Sequence, residues 1–136
     1  MNKIYNSIGT MSGTSFDGVD VSLITTNGQE VCEIKDNLYE KFNDQLKSNL
    51  KTLKNSFKNY KDADTIKENK LFIEVENQIT DLHIKLIKEL ILKSKEKINI
   101  IGFHGITLFH DAKNKFTFQI GNISKLSENL KIPVVY

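Results

Sequence analysis

The sequence predicts an α/β fold, a mixed sheet with packed helices, and three observations carry that expectation. The first 35 residues alternate like strands, residues 38–91 carry two apolar stripes of helical period, and a mainly apolar run, Ile98–Phe103, follows the second stripe as a buried strand follows a helix. With 136 residues the chain has room for one core of useful size.

Strand signals come first. Lys3–Ile8 opens with a short apolar alternation, Val19–Thr25 is rich in β-branched residues, and Glu30–Lys35 alternates Val31 and Cys32 with charge. Asn27-Gly28 between the last two is a hairpin signal, so an antiparallel three-stranded unit is expected at the N-terminus. Between the first two strands, Gly9–Gly18 is too polar and Gly-rich to continue a strand. The period then changes: Leu38, Phe42, Leu46, Leu50, Leu53 and Phe57 recur every three or four residues, which predicts one amphipathic helix over 38–57. Thr65 and Glu68 have capping-box spacing. The helix after them turns Phe72, Val75, Ile79, Leu82, Leu86, Ile87, Leu90 and Ile91 to one face, a stripe that reads as core, with His83 at a packed or border position. Thr107–Phe109 and Phe116–Ile120, separated by the Lys- and Asn-rich segment 111–115, predict a hairpin; Leu126–Leu130 predicts a short helix and Ile132–Tyr136 the start of a strand.

Composition removes several function classes. Hydrophobic content of 39% with 26% charged residues is that of a soluble globular protein, and no stretch approaches a membrane span. The nineteen basic residues are all Lys against seventeen acidic ones, for a net charge of +2. Without Arg there are no bidentate guanidinium clamps for phosphate or guanine, so a sequence-reading nucleic-acid module is not expected. A single Cys32 and three His give neither an internal disulfide nor a zinc set, and residues 1–8 lack the features of a signal or transit peptide. The expected compartment is reducing and cytoplasmic.

Two segments carry chemistry. Gly9–Asp20 sets three glycines, four hydroxyl residues and two carboxylates between strands. Such a turn can aim N–H groups and hydroxyls at an anion. Glycine spacing excludes both the Walker A loop and the dinucleotide fingerprint. Within it Thr14 and Ser15 are candidate phosphate donors, and Asp17 and Asp20 candidates for organising Mg²⁺ through water. A Gly-rich turn bonded to its own backbone would use the same residues, and both readings stay open. The second segment is Phe103-His104-Gly105-Ile106-Thr107, directly after the buried strand, where open α/β sheets bind ligands. His104 is placed to bond a sugar or tune a carboxylate, or equally to cap a turn carbonyl.

Ile8-Gly9-Thr10-Met11-Ser12-Gly13-Thr14-Ser15-Phe16-Asp17-Gly18-Val19-Asp20 resembles the opening signature of the anhydro-N-acetylmuramic acid kinases, G-T-M-S-G-T-S-L-D-G-V-D, with one substitution. Ile101-Gly102-Phe103-His104-Gly105-Ile106-Thr107 is similar to that family's I-G-x-H-G-Q-T. Thr117-Phe118-Gln119-Ile120-Gly121-Asn122 with Ile132-Pro133-Val134-Val135 is similar to its T-x-Q-I-G and I-P-V-V. The resemblance implies a ribonuclease H-like (actin/hexokinase-like ATPase) N-terminal lobe and ATP-dependent phosphorylation of 1,6-anhydro-N-acetylmuramic acid. Water opens the anhydro ring to give N-acetylmuramic acid 6-phosphate in cell-wall recycling.

Carried over residue by residue, the ATP-phosphate loop is Gly13, Thr14, Ser15, Phe16, Asp17, Gly18, Val19 and Asp20, with Asp17 toward Mg²⁺, and His104 and Thr107 lie near the sugar. Phe16 replaces the usual Leu, and Ile106 replaces the usual Gln, which takes an amide from a strip expected to face the sugar. The chain ends before the family's D-F-R segment, so residues 1–136 are expected to be an incomplete N-terminal lobe without the C-terminal lobe or its general base. The expected ligands are ATP with Mg²⁺ and the amino sugar. The partners left open are a separately encoded C-terminal lobe and a second copy of the chain. A non-catalytic remnant is the alternative to one part of a split enzyme.

Overall fold

Seven strands and four α-helices follow one another along residues 3–136, which the computed structural model describes. They are β1 Tyr5–Met11, β2 Gly18–Thr26, β3 Cys32–Lys41, α1 Asp44–Ser56, α2 Ala63–Lys67, α3 Lys70–Ser94, β4 Ile100–Gly102, β5 Ile106–Asp111, β6 Phe116–Ile120, α4 Ile123–Leu130 and β7 Val134–Val135. A five-stranded sheet runs in the order β3-β2-β1-β4-β7, and β5 with β6 makes a separate hairpin. The first three strands pair antiparallel, whereas β4 lies parallel to both β1 and β7. The expected α/β class and antiparallel N-terminal unit are therefore present.

Three boundaries differ from the sequence expectation. Gly9-Thr10-Met11 continues β1, because each pairs across to β2 at Ser22, Val21 and Asp20. The connecting loop is thus only residues 12–17. Residues 38–41 end β3 and do not begin a helix: Leu38 faces Val21 and Glu40 faces Val19. Leu38 and Phe42 satisfy a helical i,i+4 spacing, but Asn43 resets the chain, its Oδ1 accepting the Leu46 N–H at 2.8 Å as the cap of α1. The capping box expected at Thr65 and Glu68 is absent, since Thr65 lies inside α2. Asn69 caps α3 by accepting from Leu71 N, and a reciprocal box sits earlier, at Asn59 and Asp62 around a 3₁₀ turn. Asparagine competes well for these caps because its short amide reaches its own downstream N–H groups.

The core lies between the sheet and two helices. Val19, Val21 and Leu23 of β2, Ile8 of β1 and Ile101 of β4 pack with Leu46, Leu50 and Leu53 of α1 and with Val75, Ile79, Ile87 and Leu90 of α3, all buried. Each such side chain contributes about 1.5–3 kcal/mol of hydrophobic free energy. The β5–β6 hairpin docks on the end of α1 through aromatic contacts, Phe57 stacking on Phe109 at 5.0 Å and meeting Phe118 at 4.9 Å between ring centroids. No helix among the described residues is long and apolar enough to cross a membrane.

Candidate functional site

The parallel strands β1, β4 and β7 all end at one rim of the sheet, and the loops that leave them bring both sequence-predicted segments to that rim. Gly9 and Gly102 are in register, so loop 12–17 after β1 and segment 103–105 after β4 emerge side by side. Thr10 Oγ1 donates to the Gly102 carbonyl at 3.3 Å across this junction. A position past the carboxyl ends of parallel strands is where open α/β sheets bind ligands.

Loop 12–17 is held from beneath. The Phe16 N–H donates to the Gly13 carbonyl at 3.1 Å and closes a turn. Phe16 itself has φ 58°, a left-handed conformation that costs a bulky residue roughly 1–2 kcal/mol. Burial of its ring offsets that strain: Phe16 is 2% exposed, and Lys54 Nζ of α1 lies 5.5 Å from the ring centroid. The Asp17 carbonyl accepts from Phe42 N at 2.9 Å, and its carboxylate pairs with Lys47 Nζ at 3.2 Å. Gly18 is demanded by the sheet, since a Cβ there would collide with the Glu40 carbonyl oxygen and the Tyr39 ring.

Of the eight loop candidates, Thr14, Ser15, Asp17 and Asp20 present exposed side chains and Gly13 is half-buried. Phe16, Gly18 and Val19 are buried, so what they offer a ligand is main chain. Asp20 lies on β2 opposite Met11 and Tyr39, outside the loop proper. The Ser15 hydroxyl, and after it Lys47, hold the Asp17 carboxyl below its ordinary range, so it stays ionised. Among the described residues no group of three or more His, Cys, Asp or Glu gathers to hold a metal. One carboxylate beside hydroxyls does not make a protein cage, but fits an ion carried mainly by phosphate oxygens and water.

Across the rim, His104 and Thr107 are joined by a residue that the sequence reading left unassigned. Gln119 Nε2 lies 3.3 Å from His104 Nδ1 and 3.4 Å from Thr107 Oγ1. An amide nitrogen only donates, so His104 Nδ1 is an acceptor and its Nε2 faces Met11 Sδ at 3.1 Å. The signal that finds Gln119 is its register: β5 and β6 place it directly opposite Thr107. Ile106, expected to face the sugar, instead points into the core with no exposed surface, because inward and outward residues alternate along β5. Gly105 makes the turn possible; it has φ +65°, and a Cβ would strike the Ile120 carbonyl.

Beside this strip lies an open groove of about 930 Å³ that Gln119, Glu76, Phe72 and Tyr136 help to line. Burial pushes the Glu76 carboxyl up, against a hydrogen bond from the Gly121 N–H. Farther along α3, Thr80 Oγ1 accepts from Asn122 N at 3.0 Å and the wholly buried His83 meets Ser12 Oγ at 3.4 Å. Glu76, Thr80 and His83 thus form a polar ridge inside an apolar stripe, spaced i, i+4, i+7 on the face that meets both loops. That spacing of polar residues within the stripe was the readable signal.

The family described as anhydro-N-acetylmuramic acid kinase matches residues 5–136. Curated relatives of that description include one from Pelagibacter ubique, 41% identical over 137 residues, covering all of this chain and 36% of the relative. Another, from Brucella canis, is 32% identical over 143 residues and covers all of this chain and 37% of the relative. One from Zymomonas mobilis is 34% identical over 132 residues, covering 95% of this chain and 36% of the relative. The chain spans about a third of the length of the curated relatives it matches.

Proposed function

This chain belongs to the anhydro-N-acetylmuramic acid kinase family, and on that premise we propose that it supplies the phosphate-loop side and part of the sugar side of a kinase site. The reaction is ATP-dependent phosphorylation of 1,6-anhydro-N-acetylmuramic acid with hydrolytic opening of the anhydro ring. The observation that carries the reading is the convergence of loop 12–17 with the His104–Gln119–Thr107 strip at one rim of the sheet. The sheet order, with β2 alone running against the other four strands, supports a ribonuclease H-like lobe of the actin and hexokinase kind.

In this reading the loop's N–H groups and the Thr14 hydroxyl donate to phosphate oxygens, and the Ser15 hydroxyl joins them by turning from the Asp17 carboxyl. Such donors work by fixing charge in place, which is most of what phosphoryl transfer asks of a protein. Asp17, kept ionised by Ser15 and Lys47, would order water around Mg²⁺, and that ion would supply neutralisation of phosphate charge when bound. His104, Thr107 and Gln119 present a mixed set of donors and acceptors to sugar hydroxyls, next to the groove that has room for the ring.

In-line transfer also needs a general base and a second wall around the phosphates. Residues 1–136 alone are therefore expected to bind ligands without turnover. The test supplies the purified chain with ATP, Mg²⁺ and the anhydro sugar, with and without the C-terminal two thirds of the Pelagibacter relative in trans. Sugar phosphate only in the complemented mixture supports the reading. Turnover by the chain alone, or none from a stable complex, counts against it.

A further inference from the structure

His83 is the one wholly buried imidazole among the described residues, and it touches both flanks of the rim. Its Nδ1 lies 2.8 Å from the Ile79 carbonyl on its own helix. A carbonyl can only accept, so Nδ1 carries the proton and Nε2 is left as an acceptor. The group facing Nε2 is Ser12 Oγ, at 3.4 Å, and the hydroxyl must donate inward. On the other side the Phe103 ring meets the imidazole edge-on, with centroids 5.0 Å apart and planes at 84°. Ser12 begins loop 12–17, and Phe103 precedes His104.

From this geometry we infer that His83 is a positioning residue, a fixed neutral Nδ1–H imidazole that seats loop 12–17 through Ser12 and spaces it from the His104 segment through Phe103. The arrangement divides the loop's hydroxyls by task. Ser12, 3% exposed, spends its proton on His83 and Ser15 spends its own on the Asp17 carboxyl, which leaves Thr14 as the loop's unengaged outward hydroxyl. Burial also pushes the His83 pKa down to about 4, so the acceptor at Nε2 persists at neutral pH. The inference rests on the kinase reading only for what the seated loop would bind; the seating itself involves no ligand.

Two measurements on the full chain test it. Long-range ¹H–¹⁵N spectra of the wild type should show one neutral Nδ1–H tautomer for His83 from about pH 6 to 8. A tautomer mixture, or a protonated Nε2, overturns the proposal, and this arm needs no variant to fold. The second arm reads amide hydrogen exchange at Phe16 and Phe42, the two N–H groups bonded within and onto the loop, against the Asn99 amide, bonded to Asn6 at the far end of β1. Ser12→Ala and His83→Phe should each speed exchange at Phe16 and Phe42 about tenfold, as loss of one shared hydrogen bond would. Asn99 should stay unchanged, and the double variant should be no worse than either single, because the two residues act as one unit. Loop exchange that is unchanged in Ser12→Ala, or additive in the double variant, overturns it. Failure of the chain to bind nucleotide would defeat the proposed function and leave these outcomes unaffected.

Discussion

The two flanks of the rim hold their polar groups in opposite ways. Loop 12–17 is fixed from below, by the buried Phe16 ring, by Ser12 on His83 and by the Asp17 carbonyl on Phe42, so Thr14 stands free of the framework and Ser15 engages only the Asp17 carboxyl beside it. The 104–119 strip is fixed at its surface, where Gln119 bonds the same His104 and Thr107 that would meet a ligand. In the first flank the residues that set geometry differ from those that would touch substrate. In the second they coincide, so a single substitution there changes both.

Each of the following perturbations strains one side of that contrast, beginning with the largest. Gly105→Ala forces a Cβ into the Ile120 carbonyl at positive φ and should cost more than about 4 kcal/mol by denaturant unfolding, collapsing the second flank outright. A variant of near wild-type stability would mean the turn can relax. Acid acts on the first flank. The folded-state pKa of His83 is lowered, so its stabilisation is full above the unfolded value near 6.5 and is lost as pH falls through about 4. Stability should drop by about 3 kcal/mol across that window, and His83→Phe should flatten the profile. No pH dependence in the wild type would place the imidazole in contact with water.

Gln119→Ala should cost about 1–2 kcal/mol, since it leaves the His104 and Thr107 acceptors without their donor, and should weaken sugar binding in the same variant. Sugar affinity surviving intact would separate geometry from contact in the second flank as well. Phe16→Leu, which installs the residue usual in the family signature, should cost about 1 kcal/mol, since it trims ring volume from the core but removes no polar group. The gentlest test follows the Asp17 carboxyl by NMR titration. Its pKa should rise in both Ser15→Ala and Lys47→Ala, because the hydroxyl and the ammonium both hold it down. The melting temperature at neutral pH should not move, and a pKa unmoved in Ser15→Ala would reassign the loop's electrostatics to Lys47.

The fold was largely legible because its elements obey local periodicity. The α3 stripe, the strand ending at Gly102, the β5–β6 hairpin and the turn at Asn27-Gly28 all stand where apolar spacing and turn chemistry put them, although that strand is buried on one face only and that turn opens into a loop over residues 27–31. Gly9-Thr10-Met11 was not legible as strand, because its conformation comes from partners on β2 and not from its own side chains. Leu38 was misleading for a related reason: one residue fits both a period of 3.6 and a period of 2. At the site, loop and strip were readable as motifs, but their meeting was not. Register brought Gln119 to Thr107, and helix phase brought His83 beneath Ser12. Ile106 shows the converse, a position whose motif suggested a ligand face and whose strand phase sends it to the core.

The central place of β1 also dictates an order of assembly. Its antiparallel partner β2 follows within a few residues, so the hairpin that carries loop 12–17 closes a short stretch of chain. Its parallel partner β4 pairs Ile100 with Ser7, which requires all of α1 to α3 to fold back first. Contacts between residues near in sequence cost less loop entropy and form earlier. On a growing chain the phosphate-side turn can therefore take shape long before the His104 segment arrives beside it. His83, which lies between them in sequence, is made before the second flank and after the first. Loop entropy thus favours building the rim in the order in which its parts leave the ribosome.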